Sequence, residues 1–231
     1  MEQSEVQTKV EPLNFASKNQ KIDIKRINQK YLFFFAKRVI DLIGSILGLV
    51  VLFPFFIILA ILMKIEEPKG PIFFSQTRVG LNGKKFKMYK IRSMVVNAEE
   101  LLEDLLEQNE IEGAMFKMKD DPRITKVGKF IRKTSIDEFP QLLNVVKGEM
   151  SLVGPRPPLV REVEEYTDYD KQRLLVRPGC TGLWQVSGRN SLSFEEMVEL
   201  DLNYIQNLSL LNDFMIGVKT IKVVVKSDDA Y

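Results

Sequence analysis

Asp137 and Glu138 form an adjacent acidic pair, with Arg123, Lys126, Lys129, Arg132 and Lys133 before it and the loop Gly154-Pro155-Arg156-Pro157-Pro158 after it. Guanidinium groups and free backbone N–H groups gather phosphates, so carboxylates placed among them suit chemistry at a phosphate. One carboxylate can hold Mg²⁺, a hard cation that prefers carboxylate and diphosphate oxygens. The other, kept ionised, can attack phosphorus and give an acyl phosphate. The same residues also fit an inert helix start. Ser135 and Glu138 match a capping box and Asp137 an N-cap, for a helix starting at Ile136 or Asp137 with Pro140 in its first turn and Phe139, Leu142, Leu143 and Val146 on one face.

Composition narrows the chemistry. The chain has 231 residues, no histidine and one cysteine, Cys180. Histidine general bases, Ser-His-Asp triads, disulfides within the chain and thiolate clusters are thereby excluded, which leaves carboxylates, Lys, Arg, hydroxyls or a hard metal ion. With 33 basic against 31 acidic residues the net charge is +2, and no nucleic-acid partner is expected. The lone cysteine fits a reducing, cytoplasmic setting.

A second cluster lies in VRPGCTGLWQVSGRNSLSFEEMVELD, residues 176–201. Here Arg177, Pro178, Gly179, Gly182, Gly188 and Arg189 alternate rigidity, backbone access and charge, as a loop for a nucleotide diphosphate would. Trp184 is either a core anchor or a face for a uracil. Ser193 and Glu196 form another capping box, and Asp201 is either a solvated acid or a second metal-site carboxylate.

These residues need elements to position them. Residues 39–63 form an apolar stretch interrupted by one charge, Asp41, and as a helix they would run about 37 Å, a bilayer's thickness. Pro54 predicts a kink or break in mid-segment. Lys25, Arg26, Lys30, Lys37 and Arg38 precede the stretch and Lys64, Lys69, Arg78, Lys84 and Lys85 follow it, so the positive-inside bias puts both flanks in the cytoplasm. A re-entrant helix bent at Pro54 satisfies that bias, and a kinked span is the alternative. Residues 71–75 and 85–91 read as strands joined across Asn82-Gly83. Residues 97–108 read as an exposed amphipathic helix, and 210–225, with Lys219 and Lys222, as a packed or membrane-surface helix. The expected fold is α+β: a polar tail over 1–29, a re-entrant membrane helix within 30–67, and over 68–231 a compact, mainly helical cytoplasmic catalytic domain with a small β-hairpin.

Together KRVIDLIGSILGL, FFSQTRVG, FKMYKIRSM, DPRITKVGKFIRKTSIDEFPQLLNVVKGEMSLVGPRP and RPGCTGLWQVSGR resemble the bacterial sugar transferases called monotopic phosphoglycosyl transferases, from residue 37 to the C-terminus. The resemblance implies a re-entrant helix, a cytoplasm-facing catalytic domain at the inner membrane, and an Asp-Glu dyad. In that dyad Asp137 would form a covalent phosphosugar and Glu138 would bind Mg²⁺, or Mn²⁺ in its place. Arg132, Arg156 and Arg177 fall on positions like the family's phosphate-contacting arginines, Arg92 and Arg189 are assigned with them, and Asp201 matches a later acid. Phe53 precedes Pro54 where some members carry Ser. Larger relatives add N-terminal membrane helices, so this chain resembles the minimal catalytic form. The implied reaction moves a hexose-1-phosphate, galactose or glucose, from a UDP-sugar to undecaprenyl phosphate, beginning an exopolysaccharide or capsule. A lipid-diphosphate phosphohydrolase and a non-catalytic membrane scaffold are the rival readings.

Overall fold

The structure is a computed structural model that describes residues 21–98, 100–103, 105, 118, 121–188 and 192–226. Expectations for residues 1–20, for much of 104–120 and for Arg189 lie outside the described residues. The chain is α+β and mainly helical. Helix α1 spans Ile24–Asn28 and α2 Tyr31–Glu66; strands β1 (Phe73–Val79) and β2 (Lys85–Ile91) follow. Then come α3 (Glu100–Glu103), α4 (Lys126–Lys133), α5 (Gln141–Lys147), β3 (Ser151–Val153), α6 (Val160–Glu164), β4 (Gly179–Thr181), α7 (Phe194–Gln206) and α8 (Leu210–Lys226).

α2 is long and apolar enough to cross a membrane, and of the kink or break expected at Pro54 it shows no break, staying helical on both sides. A proline removes one helical hydrogen bond, and the turns on either side still propagate. Lys37, Asp41, Ser45, Leu59 and Met63 are buried along one stripe at helical spacing. By contrast Ile43, Leu47, Val50, Phe53, Phe55 and Ile58 are each more than half exposed. Both ends of the helix grip the rest of the chain. Near its start Arg38 Nη1 and Nη2 donate to the Val145 and Val146 carbonyls at 2.6 and 2.9 Å, in the last turn of α5. At its end Glu66 accepts from the Lys126 and Val127 N–H groups at 2.7 and 3.1 Å, and Glu67 pairs with Arg92.

Among the described residues of the stretch 1–29, those from 22 onward pack against the rest of the chain. Asp23 caps α1, accepting from the Lys25 N–H at 2.9 Å, and Ile22 and Ile27 pack into a core with Val153, Val198, Leu202, Tyr204, Ile205 and Ile216. The polar composition of the stretch concealed two isoleucines that find this core. The hairpin forms across the foreseen turn, with Asn82 at φ 54° and Gly83 at φ 77°. That left-handed pair is what the Asn-Gly signal encodes. β1 runs further than 71–75, because Thr77, Arg78 and Val79 stay in register with Lys87, Phe86 and Lys85. A second, parallel sheet of β3 and β4 was not foreseen; its strands are short. Along α8, Ile216 is buried while Leu211 and Phe214 are 71% and 67% exposed, so the helix packs on one face and offers an apolar surface on the other.

Candidate active site

The acidic pair does not sit on an α-helix. Ser135 ends α4 in the left-handed region at φ 55°, and Ile136–Glu138 make one 3₁₀ turn before α5 begins at Gln141. The expected capping box is absent, because Ser135 makes no side-chain cap. Pro140 precedes α5, where its missing N–H costs nothing. A serine at positive φ is a costly choice by about 1 kcal/mol, tolerated where the surroundings fix the turn.

Three contacts fix it. Asn144, fully buried on α5, donates to the Lys87 carbonyl at 2.7 Å and accepts from the Tyr89 N–H at 3.1 Å, binding α5 to the free edge of β2. Gly128 lets α4 lie against the Ser93 loop, since a Cβ there would stand 2.0 Å from the Ser93 carbonyl. Arg132, one turn later, donates from Nε to Ser93 Oγ at 2.8 Å. Strand, helix and loop thus converge on the pair from three sides.

Lys90, from β2, reaches both acids: its Nζ lies 2.8 Å from Glu138 Oε1 and 3.8 Å from Asp137 Oδ2. The Asp137 side chain is 14% exposed and that of Glu138 41%. Burial pushes the Asp137 carboxyl up to about 6, Lys90 and Arg132 pull it back, and the neighbouring Glu138 charge adds to the rise. The pair faces a cavity of about 760 Å³ lined also by Lys90, Arg92, Arg123 and Arg132. Mg²⁺ bound by proteins commonly takes one or two carboxylates plus substrate phosphates. Asp137 and Glu138 fit that pattern; among the described residues no cluster of three or more acids or cysteines gathers to cage an ion alone.

The arginines expected at phosphates separate. Arg92 and Arg132 line the dyad cavity. Arg92 is also a clamp, donating to the Pro71 and Met94 carbonyls at 2.6 and 2.9 Å and pairing with Glu67. Arg156 is exposed, its guanidinium 5.8 Å from the Trp184 ring centre, and Trp184 itself is buried in the core. Arg177 lies at another cavity, donating from Nε to the Gly148 carbonyl at 3.0 Å. Asp201 is neither a solvated acid nor placed in the dyad cavity. It is fully buried, and its Oδ2 accepts from Arg173 Nε and Nη2 at 2.8 and 2.6 Å. The inward face of α7, with Val198, Leu202 and Ile205, carries it into the core.

Sequence reasoning missed Lys90, Asn144 and Arg78. Arg78 is buried, donates to the Pro157 carbonyl at 3.1 Å, and with the Val79 N–H bond to Pro158 holds the Gly-Pro-Arg-Pro loop against β1. Burial and the nearby Arg156 charge push its guanidinium down to about 10, while Glu162 and Glu138 oppose that. Alternation along β2, with Phe86 and Met88 buried, put Lys90 on the same side as those core residues, and that signal was available in the sequence.

The profile of the family described as bacterial sugar transferase matches residues 32–227. Among its relatives, a galactosyl transferase, CpsE, of Streptococcus agalactiae is 52% identical over 197 residues, covering 85% of this chain and 43% of that protein. An undecaprenyl-phosphate galactose phosphotransferase of Salmonella typhimurium is 49% identical over 201 residues, 85% of this chain and 42% of its own length. An exopolysaccharide production protein, ExoY, of Sinorhizobium fredii is 44% identical over 200 residues, 85% of this chain and 88% of its own. The chain therefore spans less than half the length of the first two and most of the third. With the dyad, the basic cavity and the long apolar helix in one fold, these matches place the chain in the bacterial sugar transferase family.

Proposed function

We propose that the chain transfers a hexose-1-phosphate, galactose-1-phosphate foremost, from a UDP-sugar to undecaprenyl phosphate by way of a phosphosugar on Asp137. The observation that carries this reading is the partly buried Asp137, beside Glu138 and Lys90, opening on a basic cavity. An Asp137 oxygen attacks the sugar-bearing phosphorus, a P–O bond to that oxygen forms, and the P–O bond to UMP breaks. UMP departs with the electron pair. An oxygen of the lipid phosphate then attacks the same phosphorus, and the Asp137 carboxylate is released. With its carboxyl near 6, Asp137 is mostly ionised at neutral pH and needs no proton removed before attack. Lys90 and Arg132 offset the charge on the phosphoryl oxygens, which is the main task in an exchange of one anhydride for another. Glu138, with Asp137 beside it, would hold Mg²⁺, which when bound neutralises diphosphate charge. Galactose is favoured because three relatives carry that sugar in their names.

We also propose that α2 enters and leaves the inner membrane by its cytoplasmic face. Contacts with the catalytic domain at both Arg38 and Glu66 support this, since a helix with its ends on opposite sides could not hold one domain by both. Cysteines at Asn28 and Lys222 in a Cys180→Ser background should both resist an external, impermeant thiol reagent. Labelling at Asn28 alone would overturn the topology.

The function is tested with membranes containing the protein, a panel of UDP-sugars, and undecaprenyl phosphate present or withheld. UMP release that requires Mg²⁺ and is strongest with UDP-galactose is the expected result. Inorganic phosphate released without acceptor would favour the phosphohydrolase, and no turnover with any UDP-sugar would sink the reading.

A further inference from the structure

A second cavity, of about 570 Å³, opens between α2 and α8 and differs from the dyad cavity in character. Ile40, Leu142, Leu152, Phe214, Val218 and Ile221 supply much of its wall. Several of the polar groups on that wall are already engaged. Lys37 Nζ lies 2.6 Å from Asp213 Oδ2, the Thr181 and Thr220 hydroxyls bond each other at 2.8 Å, and Asp41 accepts from the Leu152 N–H at 3.0 Å. A nucleotide would find few partners along such a wall, whereas a hydrocarbon needs none. Ser135 and Glu138 line both cavities, so the apolar one reaches the dyad along a wall to which Arg92 and Arg123 do not contribute. Ile40, Phe214 and Ile221 are 51%, 67% and 67% exposed, so its outer rim belongs to the exposed apolar faces of α2 and α8.

We propose that this cavity receives the isoprenoid chain of the acceptor, whose phosphate then stands where the two cavities meet, at Ser135 and Glu138. The inference rests on the transferase reading above and adds the place and direction of acceptor entry. A hydrocarbon gains little by moving from bilayer to an apolar wall, so the cavity acts by orientation: it brings the lipid phosphate in along a wall to which Arg92 and Arg123 do not contribute.

Gly217 provides the means to test this. It lines the cavity, and a Cβ added there meets nothing within 4 Å, so a larger side chain fills space instead of displacing backbone. Gly217→Phe and Gly217→Ala are each given UDP-galactose without acceptor, and the UMP burst counts the molecules whose dyad is competent. Undecaprenyl phosphate is then added, and transfer is divided by that count. Transfer per competent molecule should fall about tenfold or more in Gly217→Phe and by about twofold or less in Gly217→Ala. In parallel, a polyprenyl phosphate carrying a diazirine on an isoprene unit near its phosphate is photolysed with the wild type. Its label should fall on α8 around Phe214 to Ile221, or on α2 near Ile40, and be displaced by undecaprenyl phosphate.

Unchanged transfer in Gly217→Phe, or label elsewhere, overturns the cavity assignment while a wild-type burst leaves the transferase reading intact. Label that undecaprenyl phosphate fails to displace, but phosphatidylglycerol does, marks a site for bulk lipid and also overturns it. A missing wild-type burst defeats the transferase reading instead, and the displaceable label still decides the cavity.

Discussion

Asp137 and Asp201 are both carboxyls that burial pushes up to about 6 against the pull of a nearby cation, yet they belong to different kinds of site. Asp201 has Arg173 on one oxygen, accepts no hydrogen bond on its buried Oδ1 among the described residues, and lines neither large cavity. Asp137 keeps part of its side chain exposed, stands 3.8 Å from Lys90, and faces open space among basic groups. A perturbed carboxyl is therefore a weak sign of chemistry by itself, since burial alone produces it. Access and neighbouring charge separate the two.

The comparison is broken most directly by Asp137→Asn, which keeps the shape and removes the nucleophile. UMP release should fall by on the order of 10³ or more. A variant with wild-type rates would move the nucleophile elsewhere. At Asp201 the expected loss is in stability. Arg173→Met leaves a buried carboxylate without its cation and should cost about 3–5 kcal/mol, while Arg173→Met with Asp201→Leu recovers most of it. UMP release per folded molecule should change far less in that pair than in Asp137→Asn. If the double variant is stable but as inactive as Asp137→Asn, Asp201 acts in the reaction and the contrast fails.

Lys90→Met sharpens the contrast from the side of the cation. Lys90 holds the Asp137 carboxyl down, so its removal should move the acid limb of the UMP-release profile to higher pH and cost roughly tenfold near pH 6.5, less near pH 8.5. An acid limb that stays in place would mean that Lys90 does not set the state of Asp137.

What the sequence disclosed follows from range of interaction. The hairpin was legible because Asn82-Gly83 acts locally, and α2 because twenty-odd apolar residues need no partner to be recognised. The acidic pair was legible through its neighbours in the chain. Its setting was not: the 3₁₀ turn depends on Ser135 at positive φ, and Ser135 is held there by α4 and β2 rather than by a local signal. The scatter of the arginines has the same cause. Arg92 and Arg132 reach the dyad cavity through the Ser93 loop, while Arg177 is taken up at the Gly148 end of α5, and no spacing in the chain distinguishes them. The burial of Asp201 was not legible because its partner Arg173 lies outside its own helix.

The smallest expected effect concerns what Asp137 costs the fold. Its carboxyl ionises near 3.8 when unfolded and near 6 when folded, so between those values the unfolded chain releases a proton that the folded one keeps. The folded state is progressively disfavoured as pH rises through this window, and the penalty is complete above about pH 6, where it amounts to about 1–3 kcal/mol. Asn cannot ionise, so Asp137→Asn should unfold at a higher temperature than its parent at about pH 7.5, with a gap that narrows at about pH 4.5. Glu138 and Lys90 remain in the variant, so the gap reads Asp137 itself. A gap that is absent, or that widens in acid, would show that Lys90 and Arg132 outweigh burial and hold Asp137 low. Asp137 would then owe its ionised state to its cations alone, and its kinship with Asp201, whose burial outweighs Arg173, would end there.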